Sequence, residues 1–358
     1  MKKKNIIVNK ISFIMLISML CLSGCNAAGT SSENKGNTES TQTEDILSQI
    51  EERDGFTLAG TNPVYDRSMT EGEMAVYFMS STSVYEFART KLYYGDSTLI
   101  IAPDGTTMLI DTQNPACTPK IVATLQALGI ETLDYLVFSH PHEDHIGGYP
   151  TLLRYIDAKQ ILCNDYKFTS NYLYNGLSDV LEEKNIPITE LREGDSFSFG
   201  GIEVDVLNPP KGYVHEGGNS SVNSGSLAFH ITYKDSTYLL CGDIEEDMEL
   251  RMVEKYGDAL QADICKTNHH GNTSSNAKEW IETVAPKVAV TEASQSISDK
   301  ILGRYMMNDA TVLTTWLNQT IVVWTSGDGE YDVQVEAEDW SDYTKLPDEV
   351  ENGHFVIK

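Results

Sequence analysis

The stretch SHPHEDHIGG, residues 139–148, sets three histidines and an aspartate within six positions and follows them with two glycines. The whole chain has eight histidines, so this density is not an effect of composition. His140 and His142 stand two apart and can converge on one ion from an extended or turning backbone, while Asp144 and His145 point elsewhere and can serve a second. Imidazole and carboxylate together suit zinc, manganese or iron. A cation held this way acidifies water toward neutrality and makes hydroxide available to an electrophile, so the chemistry expected is metal-assisted hydrolysis. Pro141 stiffens the turn. Gly147 and Gly148 admit a backbone path that a side chain would block.

The apolar run LDYLVFSH (133–140) reads as a buried strand that delivers this cluster at its C-terminal end. Before it, EGEMAVYFMS (71–80) reads as a strand, and STLIIAP (97–103) with TTMLIDT (106–112) as a hairpin through Asp104–Gly105. TPKIVATLQALGI (118–130) has helical periodicity, with Thr118 as N-cap and Pro119 in the first turn. YPTLLRYID (149–157), NGLSDVLEEKN (175–185) and IEEDMELRMVEKYG (244–257) read as helices. QILCND (160–165) reads as a strand, FSFGGIEVDVLNP (197–209) as a hairpin, and SLAFHITYKDSTYLLCGD (226–243) as two strands about Lys234–Asp235. ADICKTNHHG (262–271) is a strand running into a loop, and helix and strand alternate from NAKEWIETVA (276–285) to YDVQVEA (331–337). Hairpins mixed with strand–helix units imply an α/β architecture of mixed sheets.

The chain ends frame this domain. MKKKN, the apolar run ISFIMLISMLCL (11–22) and LSGC (22–25) resemble a bacterial lipoprotein signal, too short to span a bilayer. The expectation is a signal peptide at 1–24 and a lipid on Cys25 that anchors the protein to the outer face of a cell membrane. Residues 25–48 then form a tether, since NAAGTSSENKGNTESTQTE has no large apolar residue to offset the entropy of ordering. Residues 49–72 are an extension, 73–340 the catalytic domain and 341–358 a C-terminal tail. The net charge of -27 falls to -31 once Lys2, Lys3, Lys4 and Lys10 leave with the signal, which weighs against bulk nucleic-acid binding. Of six cysteines, Cys117, Cys163, Cys241 and Cys265 belong to the domain; a Cys241–Cys265 bridge is open, as are buried thiols. No motif specifies an oligomer.

HxHxDH followed by Gly-Gly resembles the signature of metallo-β-lactamase-fold hydrolases, and the resemblance extends over most of residues 73–337. Four further pieces bring it closest to the branch of the ComEC-type competence-protein hydrolase domains and the phosphorylcholine esterases: GDSTLIIAPDGTTMLIDT (95–112), NSGSLAF (223–229), LLCGD (239–243) and DICKTNHHGNTSS (263–275). The resemblance implies a four-layer αββα sandwich with the metals at one edge. It implies His140, His142, Asp144, His145 and Asp243 as ligands of one or two Zn2+ or Mn2+ ions, with Asp243 bridging cations about 3.5–4 Å apart from the end of its strand. One of the adjacent His269 and His270 ligates, with His269 preferred, and the other touches substrate or donates to the leaving group. Lys266 then points at a phosphate, Asp144 also orients the nucleophile, and Asp111 braces the site. Asn223, Ser224 and Ser226 hydrogen-bond substrate oxygens or cap a strand. His215, His230 and His354 are isolated and carry no role.

This chain departs from the wider family in three places. Between the first cluster and Asp243 only His215 and His230 occur, as in the ComEC-like branch. VAVTEASQSISDK (288–300) lacks a histidine that relatives often place there, and Glu292 is the oxygen ligand available instead. STSVYEFARTKLYY (81–94) is an insertion. The function expected is hydrolysis of a phosphodiester, small or wall-linked before nucleic acid. A β-lactam or lactone hydrolase and a non-catalytic metal- or ligand-binding lipoprotein are the alternatives.

Overall fold

Met74, Val76 and Phe78 alternate with Ala75 and Tyr77 along β1 (Met74–Phe78), and all five are buried. The computed structural model shows why: the strand lies inside a sheet that is covered on both faces. The structure describes residues 62–81, 95–164, 176–213 apart from 178, 181 and 182, 218–293, 297–340 and 350–358. The chain divides into two units, residues 1–46 and 47–358, and everything described belongs to the second. The signal segment, Cys25, the tether, His215 and almost all of the 81–94 insertion lie outside the described residues, as does part of the helix expected over 175–185.

After β1 come β2 (Thr98–Ile101), β3 (Thr107–Ile110), β4 (Thr132–Phe138), β5 (Asp157–Cys163) and β6 (Ile188–Glu190). The next strands are β7 (Ser196–Phe199), β8 (Ile202–Asn208), β9 (Ala228–Tyr233), β10 (Ser236–Leu240), β11 (Ile264–Lys266), β12 (Val288–Thr291) and β13 (Thr311–Thr314). The last are β14 (Ile321–Thr325), β15 (Tyr331–Val335) and β16 (His354–Ile357). Among the described residues they make a nine-stranded sheet in the order β16-β15-β14-β1-β2-β3-β4-β5-β6 and a seven-stranded sheet in the order β13-β12-β11-β10-β9-β8-β7. Each sheet is mixed: β3 to β6 run parallel, as do β10 to β13, and the remaining neighbours are antiparallel.

Three apolar layers hold these sheets. Met74, Val76 and Phe78 meet Phe199, Val204, Phe229 and Tyr238 between them. On the outer face of the first sheet, Ile121 and Leu125 of helix α1 (Thr118–Ala127) pack with Leu99, Leu109 and Leu136. The short turn α2 (Glu143–Ile146) and helix α3 (Tyr149–Tyr155) follow, and Leu152 joins the same layer. Beyond the turn α4 (Asn219–Asn223), helices α5 (Glu246–Tyr256), α6 (Lys278–Val284) and α7 (Asp299–Met307) cover the second sheet, where Met252, Trp280 and Tyr305 meet Leu239 and Cys265. The result is the expected four-layer αββα sandwich. A last short turn, α8 (Thr315–Asn318), links the two sheets.

Two stretches set outside the expected domain, the extension and the tail, contribute to its core. Val64 and Tyr65, in the extension, are buried against Trp324 and Val322. Phe355, in the tail, is buried between the sheets because β16 pairs with β15. Short segments with one or two apolar residues carry no periodicity to reveal this. Cys117, Cys163, Cys241 and Cys265 are all buried and none is disulfide-bonded.

Candidate metal centre

Five parallel-running strands end at one edge, and each carries its chain directly into the site. β3 leads to Asp111, β4 to Ser139 and His140, β10 to Asp243, β11 to His269 and His270, and β12 to Glu292. The carboxylate of Asp243 is the hub. Its Oδ2 lies 3.1 Å from His145 Nε2, 3.3 Å from His270 Nε2, and 3.9 Å from both His140 Nε2 and His269 Nε2. His142 adjoins this group, with Nδ1 3.0 Å from His140 Nε2. Asp144, His145, Asp243 and His270 each offer a ligand atom within 4.8 Å of the others.

A metal suits these residues. His142 Nε2 is buried and has no hydrogen-bond partner, an arrangement that costs free energy unless something accepts its lone pair or proton. Asp96, Asp144 and Asp243 surround the histidines, so the site carries more negative charge than Lys266 alone balances. Burial works against protonating His145, yet the Asp243, Asp111 and Asp144 carboxylates hold its pKa well above the usual imidazole range. His270 rises in the same way, through Asp243 and Asp96. His140 falls well below that range through burial and the His145 charge. Despite burial, His145 and His270 bring Asp144 down to about 2. Two pairs of nitrogen donors thus flank one shared carboxylate, and cations would satisfy both.

Supporting contacts fix the rings. Asp111 accepts from Ser139 N–H at 2.8 Å, Ser139 Oγ at 2.5 Å and His145 Nδ1 at 2.7 Å. Its φ of 63° is a left-handed conformation that aspartate tolerates. Ser226 Oγ accepts from Asp243 N–H at 3.1 Å, donates to Asn223 O at 2.7 Å and lies 3.1 Å from His140 Nδ1. Ser226 therefore organises the strand start and His140. Ser224 is also buried and donates to Asp247 at 2.8 Å. Of the three residues considered for substrate, Asn223 is the one beside His269, with Nδ2 3.4 Å from His269 Nε2 and 2.9 Å from Glu245.

Three sequence expectations are corrected by geometry. His270, not His269, stands in the four-donor group; His269 Nδ1 turns to Ser274 Oγ at 3.1 Å. Adjacent residues must face apart, and the left-handed backbone at both decides which one faces inward. Lys266 does not point into a cleft. It is buried, with Nζ 2.5 Å from Asp96 Oδ2 and 3.1 Å from the Gly242 and Thr267 carbonyls, and the Asp96 and Asp243 carboxylates raise its pKa in spite of burial. Glu292 does not replace the missing histidine. Its carboxylate accepts from Ser97 N–H at 3.0 Å and Thr98 Oγ1 at 2.9 Å, and burial together with Asp96 pushes it up to about 8. Only its main-chain oxygen serves the site, 3.0 Å from His270 Nδ1.

The residue missed from sequence is Asp96. Its Oδ1 lies 3.0 Å from His270 Nδ1 while its Oδ2 holds Lys266. Gly95 brings it there: a Cβ at Gly95 would stand 1.9 Å from the Asp144 carbonyl oxygen. The Gly95–Asp96 pair ahead of β2 was the available signal.

A family model described as the metallo-beta-lactamase superfamily matches residues 91–291. The chain belongs to the metallo-β-lactamase superfamily. Members of this superfamily are generally hydrolases that bind one or two metal ions, and the two-sheet fold and the histidine–aspartate cluster agree with that membership. The chain is 27% identical over 206 residues to ComE operon protein 3 of Bacillus subtilis, a match covering 56% of this chain and 26% of that protein. It is 26% identical over 187 residues to competence protein ComA of Neisseria gonorrhoeae, covering 52% and 24%. The chain thus spans about a quarter of the length of these ComEC-type relatives. Anti-Pycsar protein Apyc1 of Bacillus phage vB_BsuM-Goe3 is 23% identical over 279 residues, covering 75% and 84%. Among solved structures, the metallo-β-lactamase fold protein YhfI from Bacillus subtilis matches 71% of this chain and 100% of its own, at 13% identity and a TM-score of 0.49.

Proposed function

We propose that the chain is a metal-dependent phosphodiesterase, held outside the cytoplasm by a lipid on Cys25. The observation that carries the reading is the position of Asp243, whose single carboxylate stands between the His140–His142 pair and the Asp144–His145–His270 side. Ions bound there, Zn2+ or Mn2+, would acidify water and neutralise phosphoryl charge. His142, Asp144, His269 and His270 are the members of the cluster partly open to solvent, the last three with side chains 19%, 21% and 21% exposed. Substrate therefore approaches from their side. His269 stands at the lip, where it can give a proton to the leaving oxygen, and Asp144 can orient the attacking water. Asn223 next to His269 can hold a phosphoryl oxygen. Lys266 acts from behind, by fixing Asp96. The strong negative charge of the chain favours a small or wall-linked phosphodiester over bulk nucleic acid.

The test is hydrolysis of bis(p-nitrophenyl) phosphate by the chain loaded separately with zinc and with manganese, beside His142→Ala. Metal-dependent turnover that the variant loses supports the reading. Metal binding without turnover would sink it, and lactam, lactone and simple binding assays would take its place. Membrane partition of the expressed protein that persists in Cys25→Ala would overturn the anchor.

A further inference from the structure

We propose that Glu249, on helix α5, is a positioning residue that holds the double-histidine loop in the shape a metal requires. Glu249 is fully buried and outside the ligand cluster. Its carboxylate accepts from Asn268 Nδ2 at 2.6 Å, Asn276 N–H at 2.6 Å and Ala277 N–H at 2.8 Å. Asn276 completes the clamp: its Oδ1 accepts from Asn268 N–H at 3.1 Å and Tyr305 Oη at 2.9 Å, and its Nδ2 donates to the Asn268 and Asn272 carbonyls at 2.9 and 3.2 Å. Both ends of the segment 268–276 are therefore pinned to one buried anion.

What lies between the pins needs that restraint. His269, His270 and Gly271 have φ of 48°, 54° and 72°, three successive left-handed residues of which two carry side chains. Such a path persists only where the surroundings over-determine it. It is also the path that turns His270 Nε2 toward Asp144 and Asp243 while His269 faces the lip. Burial raises the Glu249 carboxyl to about 6, so at neutral pH it is ionised and accepts all three bonds. Glutamine keeps the shape but must set an amide donor against Asn276 or Ala277 N–H.

This inference rests on the metal cage and not on the substrate. Its test is Co2+ titration of the full chain, read by affinity in chelator competition and by the visible spectrum. Glu249→Gln and Asn268→Ala are compared with Leu133→Ala, a core variant in the first sheet that lowers stability away from the loop. Both loop variants are expected to bind Co2+ about tenfold or more weakly, with a changed spectrum, the range expected when a ligand loses its supporting partner. Leu133→Ala is expected to lose melting temperature and keep both readouts. Asn268→Ala leaves two of the Glu249 bonds and carries the test should Glu249→Gln not fold. Affinity and spectrum unchanged in the loop variants would overturn the clamp. A wild-type chain that binds no Co2+ would overturn the cage together with it.

Discussion

Replacing Asp111 by asparagine would test how the cage fixes a tautomer. Asp111 receives three donors, Ser139 N–H, Ser139 Oγ and His145 Nδ1. With a cation bound, the last bond would leave His145 Nε2 unprotonated as a ligand nitrogen; that atom lies 3.1 Å from Asp243. Asparagine fits the left-handed backbone at φ 63° as well as aspartate does, so the main chain should not move. Its one oxygen takes Ser139 N–H, and its amide then faces His145 Nδ1. That nitrogen must become an acceptor, which moves the proton to Nε2 and blocks the ligand lone pair. The charge-assisted bond lost is worth about 1.5–3 kcal/mol, equal to roughly ten- to a hundredfold in metal affinity, in line with other carboxylate–histidine pairs. Zinc affinity by chelator competition, with melting of the metal-free protein as control, is the assay. A loss of tenfold or more in zinc affinity is expected, with the metal-free protein melting lower by the lost bond but still folded. Zinc affinity within about twofold of wild type would refute the tautomer argument.

Further outcomes follow from single contacts. Gly95→Ala places a Cβ 1.9 Å from the Asp144 carbonyl and forces a left-handed φ of 126° on a side chain, so metal binding should fall along with folding yield; intact metal content would refute the close approach. Lys266→Met leaves Asp96 buried without its cation and should cost about 3–5 kcal/mol in urea unfolding; a loss of substrate affinity alone would instead restore the phosphate-contact role. Glu193 is held at about 2, against an ordinary 4.5, by Arg251 at 2.8 Å, Lys255 at 2.6 Å and the Tyr256 hydroxyl at 2.6 Å, in spite of partial burial. A depressed folded pKa stabilises above the unfolded value and loses that contribution as pH falls from about 4.5 to about 2. Because Arg251 and Lys255 are partly exposed, Glu193→Gln should cost about 1–2 kcal/mol at pH 7 and flatten stability across that acid window; an unchanged acid slope would refute it.

His140, His142, Asp144 and His145 are legible as a cluster because one strand end and one turn carry them all, so sequence distance stands in for spatial distance. The alternation of Met74, Val76 and Phe78 with Ala75 and Tyr77 marks a strand buried on both faces for the same local reason. Asp243 and Asp111 are legible as strand-end carboxylates, and mixed α/β sheets from the element pattern, while the four-layer arrangement is implied by the resemblance of the ordered motifs to a known family. None of these needs knowledge of a distant partner. The remaining roles depend on groups far apart in the chain. Lys266 reads as a cation free to meet phosphate until the fold sets Asp96 against it, 2.5 Å away. Glu292 reads as a spare ligand until β2 supplies the two donors that engage its carboxylate. His269 and His270 are equivalent in sequence, and three left-handed residues decide between them. Sequence by itself determined which residue types crowd one edge, because strand ends and turns are local. Only the tertiary structure decided which of them face an ion and which hold the others in place, because burial and charge pairing belong to the packed chain.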